Sequence, residues 1–472
     1  MAKLYDRLTE RAKRDTLRGH MPGHKGLPLL VVSAESIDFT ELSDTGNLYD
    51  PEPNIIREAE EDAARATGAD HCVYSAGGST LLIQGMLGAA ARRASAKGRP
   101  LSILAARDAH RAFFAALGML GGEVDYIYPE YIDGWNISRG IRPEEVKAAL
   151  SEGEYDAVYV TSPNYYGVMS DIPGISKVCA EAGELLLVDA AHGAHLVWDG
   201  ALFNVDRRCE TIFALSAHKT LGSLGGGAFA LGIGGDFEAT KRDMLESMQL
   251  FGSSSPSYVV MASLDKALAF AASGEGKAAA AACGERVRRL RETLSAAHGL
   301  RVLGEDTLYN VGAGLDPCRL VFSIEGMSGF DAADRLERDY GVAAEMADAR
   351  NLVFIMTAAD DEAAFTRLEA AILDLAKKAP KEVCYSGTID TLPRPETACS
   401  VREALLSPAE TVKLRDAEGR IAAEAVAPYP PGVPVITPGE KISQKMLAFL
   451  AEIGYNVDKE LRVLLRGPSK PQ

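Results

Sequence analysis

Between about residue 70 and residue 235, short apolar runs alternate with longer segments of helical composition, and this rhythm restricts the fold more than any other feature of the chain. Adjacent parallel strands need a crossover of roughly a dozen residues or more, usually a helix. The alternation therefore predicts βαβ units building a mostly parallel sheet. The expected strands are Ser102 to Ala105, Val124 to Tyr128, Ala157 to Thr161, Leu185 to Val188, Thr211 to Leu215 and Ala228 to Leu231. Three of these runs end directly in polar clusters: Thr161-Ser-Pro-Asn164, Asp189-Ala-Ala-His192 and Ser216-Ala-His-Lys219. In open α/β sheets ligands sit beyond the carboxyl ends of the strands, so the three clusters are expected to converge on one pocket.

A chain of 472 residues exceeds one ordinary core. The expected divisions are an N-terminal arm at 1–30, a large domain at 31–290, a small α/β domain at 291–385 and a C-terminal subdomain at 386–472. Residues 259–298 are rich in Ala, Leu, Glu and Arg and lack proline, which predicts long helices leading out of the large domain. The stretch Ser386 to Cys399 reads as a linker. Beyond it, Arg402 to Ala427 and Ile442 to Ile453 suggest short mixed elements around a rigid turn at Pro428 to Pro434. Internal repeats and low-complexity tracts are absent.

Composition narrows the function classes. Hydrophobic residues at 47% and charged residues at 25% are those of an average soluble globular protein, which excludes a disordered or fibrous chain. No apolar run approaches the ~18 residues a membrane span needs, and Met1 to Asp15 lacks the apolar core of a signal peptide, so a cytoplasmic protein is expected. The seven cysteines are scattered and never in a C-x-x-C pair, which argues against a disulfide framework or structural zinc. A net charge of −16 opposes nucleic-acid binding and mildly favours a cationic substrate.

Lys219 follows an expected strand, beside a loop of small residues ending in Gly225-Gly-Gly227. A lysine held in such a pocket can act as a nucleophile or form an imine, whereas most lysines are surface residues. The glycines lack the order of a Walker loop. Asp189 ends the apolar run before it; it could keep the pyridine nitrogen of pyridoxal phosphate protonated, or it could be a helix cap or a Mg²⁺ ligand. His192 and His195 have poor zinc spacing: His192 is expected to face a cofactor or substrate, and His195 to support the fold. Gly77-Gly-Ser-Thr80 precedes a helical segment, where free N–H groups and the helix dipole favour an anion such as phosphate; a plain turn is the alternative. His110, just past the strand at Ser102, could stack on a flat ring or could be structural.

Together these residues resemble the Orn/Lys/Arg decarboxylase family, in its compact bacterial form. The resemblance covers nearly the whole chain: Met21-Pro-Gly-His-Lys-Gly26, Asp38 to Tyr49, Gly78-Ser-Thr80, His110, Ser162-Pro-Asn164, Asp189 to Leu196, Ser216 to Lys219, Gly252 to Tyr258, Tyr429-Pro-Pro-Gly432 and Pro438-Gly-Glu440. It implies an aspartate-aminotransferase-like fold, fold type I of the pyridoxal-phosphate enzymes, with smaller C-terminal α/β units. By position it implies Lys219 as the imine-forming lysine, Asp189 as partner of the pyridinium and His110 stacked on the ring. Gly78, Ser79, Thr80, Asn164, Ser216 and His218 would border the cofactor, with His192 near the reacting atoms. Ser253 or Ser254 would come from a neighbouring subunit, making the chain at least a homodimer with shared sites. The implied reaction converts arginine, lysine or ornithine to agmatine, cadaverine or putrescine, amines of polyamine biosynthesis. Another activity of the same fold type, or a non-catalytic pyridoxal-phosphate-binding paralogue, are the alternatives. Two departures stand out: Asp189-Ala-Ala-His192 where the family often has Asp-Glu-Ala-His, and the apolar Leu81-Leu-Ile83 at a helix start that is usually more polar.

Overall fold

A computed structural model describes residues 3–30, 32–198, 203–235, 237–309, 312–380, 392–427 and 434–465. Seven strands build the main sheet: β1 (His71–Ser75), β2 (Ser102–Ala106), β3 (Glu123–Ile127), β4 (Ala157–Thr161), β5 (Leu185–Asp189), β6 (Thr211–Leu215) and β7 (Ala228–Ile233). Their order across the sheet is β1-β7-β6-β5-β4-β2-β3. All neighbours are parallel except β7, which runs antiparallel to both β6 and β1. The exception has a local cause. β6 and β7 are joined by a single helical turn and a glycine-bearing loop instead of a crossover helix, so the chain returns in the opposite direction. The third strand starts one residue earlier than expected because Glu123 pairs with Ser102, which leaves Tyr128 outside the ladder.

Helices cover the sheet. Two of them, α1 (Gly78–Ala96) and α2 (Arg111–Leu120), follow β1 and β2 directly, and α3 (Phe237–Phe251) packs on α1. The apolar start of α1 is explained by this packing, since Leu81, Leu82 and Ile83 are all buried in the main core. Gly88 of α1 lies so close to Ser247 of α3 that a Cβ there would meet the serine hydroxyl and Cβ.

The expected long helices are α4 (Tyr258–Ala272) and α5 (Gly274–Ser295). A second core begins within α5, at Cys283, Val287, Leu290 and Leu294. It includes residues of a four-stranded antiparallel sheet, β8 (Leu300–Val302), β9 (Arg319–Ile324), β10 (Met346–Ala347) and β11 (Leu352–Ile355), in the order β8-β9-β11-β10. Two further helices, α6 (Gly329–Tyr340) and α7 (Glu362–Lys377), contribute to the same core. The N-terminal segment is tied to this unit, with Leu17–Gly19 pairing in parallel with Val342–Ala344.

A third cluster gathers Leu414, Ala422, Val435, Ile436, Ile442, Met446 and Val463. Within the stretch read as a linker, Glu396–Thr397 forms a short ladder with Glu440–Lys441. Residues 386–391 of that stretch, and 428–433 including the Tyr429-Pro-Pro-Gly432 motif, lie outside the described residues. No helix among the described residues is long and apolar enough to cross a membrane.

Candidate active site

β4, β5 and β6 are adjacent and parallel, so their carboxyl ends open on the same edge of the sheet. Asp189 is the last residue of β5 and is buried. The Tyr159 hydroxyl donates to its Oδ2 at 3.2 Å, and the Ala191 amide donates to its Oδ1 at 3.1 Å. Lys219 sits in the single helical turn Ala217–Thr220 that follows β6. Its Nζ lies 3.1 Å from Nε2 of His192. Three residues after Asp189, His192 is itself buried and packs against the Tyr165 ring at a centroid distance of 4.7 Å. Two of the three strand-end clusters thus meet through His192 and Lys219, and the third adjoins them through the Ser162 amide, which donates to the Asp189 carbonyl at 3.0 Å.

Burial dominates the electrostatics. It lowers the pKa of Lys219 below the usual amine range, opposed by Asp189 and Glu345 and reinforced by Arg319. His192 falls well below the ordinary imidazole value, first through burial and then through Lys219 and Arg319, which keeps the ring neutral. Asp108 is pushed up to about 7, mainly by burial and further by Asp189.

Beside this centre, α1 opens at Gly78, whose left-handed φ of 69° suits glycine. Its amide donates to the Gly226 carbonyl at 2.7 Å. The N-cap is Gly77, which offers no side-chain cap to the free amides of the first turn. A Cβ on Gly78 would lie 4.0 Å from Cε1 of His218, which places the helix start next to the Lys219 turn. The buried Ser216 hydroxyl has no hydrogen-bond partner among the described residues. Leaving a buried hydroxyl unpaired costs about 1–3 kcal/mol, and such groups point to a missing ligand. Ser79 is buried, Thr80 is exposed, and His218 Nδ1 is held by the Gly227 carbonyl at 3.0 Å.

Other expected residues have different surroundings. His110 is the exposed N-cap of α2, with Nδ1 accepting from the Ala112 amide at 3.2 Å. Asn164 is engaged in its own loop: its Nδ2 donates to the Ser138 carbonyl at 2.9 Å and its Oδ1 accepts from the Tyr166 and Val168 amides, both at 3.0 Å. Ser253 and Ser254 are exposed. Ser253 lines a cavity of about 410 Å³ together with Gly77 and Thr80 of the same chain, and Ser254 does not line it. Whereas His192 contacts Lys219 and Arg319, His195 pairs with Asp316 at 2.8 Å. That ion pair raises the His195 pKa to about 10 and holds Asp316 well below the carboxylate range.

Several site residues carry no local sequence signal. Arg319, fully buried at the start of β9, reaches His192 Nδ1 at 3.4 Å and Asp316 Oδ2 at 3.3 Å. Its Nε and Nη1 have no hydrogen-bond partner among the described residues, which leaves donors for an anionic ligand group. Glu345 accepts from the Tyr165 hydroxyl at 2.5 Å and the Met21 amide at 2.8 Å. Lys25, in the Met21 to Gly26 motif, donates to the carbonyls of His20 at 3.0 Å and Ile355 at 2.7 Å, which ties that motif to the second sheet. Arg107, three residues before His110, forms a buried bidentate pair with Glu440 of the Pro438-Gly-Glu440 motif.

Residues 2–364 match the family described as "Orn/Lys/Arg decarboxylase, major domain", and residues 381–458 match its C-terminal domain. An arginine decarboxylase of Bacillus subtilis (strain 168) is 30% identical over 481 residues, covering 98% of this chain and 95% of the relative. One from Bacillus anthracis is 30% identical over 468 residues, covering 95% and 92%. Among solved structures, the constitutive lysine decarboxylase of E. coli has a TM-score of 0.72 at 18% identity, covering 98% of this chain and 82% of that one. Lysine decarboxylase A from Pseudomonas aeruginosa has a TM-score of 0.73 at 19% identity, covering 88% and 69%. The architecture is therefore the expected aspartate-aminotransferase-like one, fold type I of the pyridoxal-phosphate enzymes. With both parts of the family pattern matched in order, the chain belongs to the Orn/Lys/Arg decarboxylase family.

Proposed function

We propose that the chain decarboxylates a basic amino acid, with arginine the favoured substrate, using pyridoxal phosphate held at Lys219. The observation that carries this reading is the buried Lys219 amine, 3.1 Å from a neutral histidine and one strand away from the buried Asp189 carboxylate. The names of the curated relatives support arginine over lysine and ornithine.

The residues present fit the cofactor. The first-turn amides of α1, with the Ser216 and Thr80 hydroxyls, would hold the phosphate at the positive end of the helix dipole. Asp189, oriented by Tyr159 and the Ala191 amide, would hold a proton on the pyridine nitrogen. His110 would lie against the ring. When bound, pyridoxal phosphate supplies an electron sink for the bond that breaks as CO₂ leaves.

The chain's own residues supply the remainder. Burial favours the neutral form of Lys219, the form that attacks a carbonyl. His192 Nε2 is within proton-exchange distance of Lys219 Nζ. The unpaired N–H groups of Arg319 can receive an anionic group of the substrate. Shared sites in a homodimer, and a location in the cytoplasm, belong to the same proposal.

The test is to incubate the pyridoxal-phosphate-loaded protein with arginine, lysine and ornithine separately, with no 2-oxo acid present. Agmatine and CO₂ from arginine are expected. A requirement for a 2-oxo acid would indicate aminotransfer. No amine from any of the three, together with no spectral response to them, would indicate a non-catalytic paralogue.

A further inference from the structure

His192 is touched by both Lys219 and Arg319. Its Nε2 lies 3.1 Å from Lys219 Nζ, and its Nδ1 lies 3.4 Å from Arg319 Nη2. The ring is buried and braced by Tyr165. Arg319 is anchored in turn, because the same Nη2 lies 3.3 Å from Asp316 Oδ2. Asp316 is buried too, and its Oδ1 accepts from His195 Nε2 and the Cys318 amide, both at 2.8 Å. The guanidinium is therefore held facing His192 by a carboxylate that has its own supports.

The donor and acceptor chemistry of this chain allows few arrangements. A guanidinium has donors only, so the nitrogen facing it must offer a lone pair. A neutral imidazole has one donor and one acceptor, so an accepting Nδ1 leaves the proton on Nε2. That N–H points at Lys219. An ammonium group also has only donors and would oppose it, whereas a neutral amine accepts from it. The reverse tautomer would turn an N–H of the ring against the guanidinium.

We propose that Arg319 is a positioning residue that fixes His192 as the Nε2–H tautomer, and that this N–H holds the Lys219 side chain as a neutral amine with its lone pair directed at the ring. The proposal rests on the reading of Lys219 as the reacting amine and assigns no substrate contact. The charged and titratable groups that bear on Lys219 are Asp189 and Glu345, which favour its ammonium form, and Arg319, which opposes it; His192, His110 and His218 lie nearby. Arg319 is thus the one cation among them that favours the amine without itself offering a lone pair.

The test uses the full-length chain freed of cofactor and labelled with ¹⁵N-histidine, with the His192→Gln spectrum identifying the His192 signals. The expected result at neutral pH is a protonated Nε2 and an unprotonated Nδ1. In Arg319→Met the tautomer preference should be lost. Lys219 acetylation by acetic anhydride at pH 7, read by peptide mapping, should fall below that of the unmutated chain, because less of the lysine is then the reactive amine. Arg319→Lys, which restores a cationic donor, should recover both signals. Asp316 keeps His195 and the Cys318 amide in these variants, which retains its buried partners. A proton on Nδ1, or on both nitrogens, in the unmutated chain overturns the proposal whether or not Arg319→Met folds. So does a folded Arg319→Met with unchanged tautomer and unchanged Lys219 labelling. Neither readout involves turnover, so a chain that forms no amine yet shows the expected tautomer would refute the proposed reaction and leave this inference standing.

Discussion

Glu440→Gln should loosen the attachment of the C-terminal unit to the catalytic sheet. Arg107 and Glu440 meet through two short contacts, Nη1 to Oε1 at 2.6 Å and Nη2 to Oε2 at 2.8 Å. Their side chains are 1% and 2% exposed, so solvent screens the pair very little. The guanidinium also donates to Thr437 Oγ1 at 3.2 Å and the Val435 carbonyl at 3.1 Å, and it lies over the Tyr126 ring at 4.7 Å. Glutamine keeps the volume but removes the charge and one of the acceptors, leaving the arginine buried without its counter-ion. Breaking a buried pair from one side costs about 3–5 kcal/mol, which is roughly a hundred- to several-thousand-fold in the opening equilibrium. Hydrogen–deuterium exchange should therefore lose protection at the amides of Thr437, Glu440 and Ile442 by that factor. Replacing both partners by methionine should recover much of the loss, because no uncompensated charge remains. A single variant within about 1 kcal/mol of the unmutated protein would refute the argument, as would a double variant as unstable as the single one. Since Arg107 immediately precedes Asp108 and lies three residues before His110, Glu440→Gln should also weaken cofactor binding.

Four further outcomes are expected. Lys219→Ala should abolish amine formation, and borohydride reduction of the loaded protein followed by peptide mapping should place the pyridoxyl group on Lys219 and on no other lysine. Asp189→Asn should lower kcat by about 10²–10³ or more while cofactor still binds, because the lost stabilisation acts on charge that develops in the transition state; near-normal turnover would remove Asp189 from that role. His195→Gln should destabilise the protein in a pH-dependent way, measured by urea unfolding. The folded pKa of about 10 exceeds the unfolded one, so the His195 contribution is full below about pH 6.5 and is lost as pH rises through 10, while the depressed Asp316 removes it again below about pH 4. Finally, if Ser254 acts across a subunit interface, mixing Lys219→Ala chains with chains carrying Ser254→Trp should restore activity, because one heterodimer site escapes both lesions; a mixture as inactive as its parents would exclude the shared site.

The residues that were legible in the sequence are those whose placement depends on local rules. Apolar runs of strand length separated by helical segments set the main sheet, and the polar residue that ends each parallel strand must lie at its carboxyl edge, so local rules alone bring Asp189 and Lys219 together. The glycine-bearing start of α1 was legible for the same reason, since a helix N-terminus carries its own anion-binding amides wherever it is placed. The apolar Leu81-Leu-Ile83 at that start did not reveal its purpose, because only the packing of α3 and the sheet on α1 shows why those side chains must be buried. Asn164 illustrates the converse: its motif matched, yet only its loop geometry shows the side chain engaged with Ser138, Tyr166 and Val168. Arg319, Asp316 and Glu345 had no local pattern, as each is a single charged residue that meets His192, His195 or Tyr165 from far along the chain, and Glu440 lay in a matched motif that did not show its pairing with Arg107. A charge in a strand or turn ordinarily reads as a solvated side chain. Whether it is instead desolvated against Lys219, His192 or Arg107 depends on how separate cores dock, and that is decided by contacts between residues hundreds of positions apart, which no periodicity encodes.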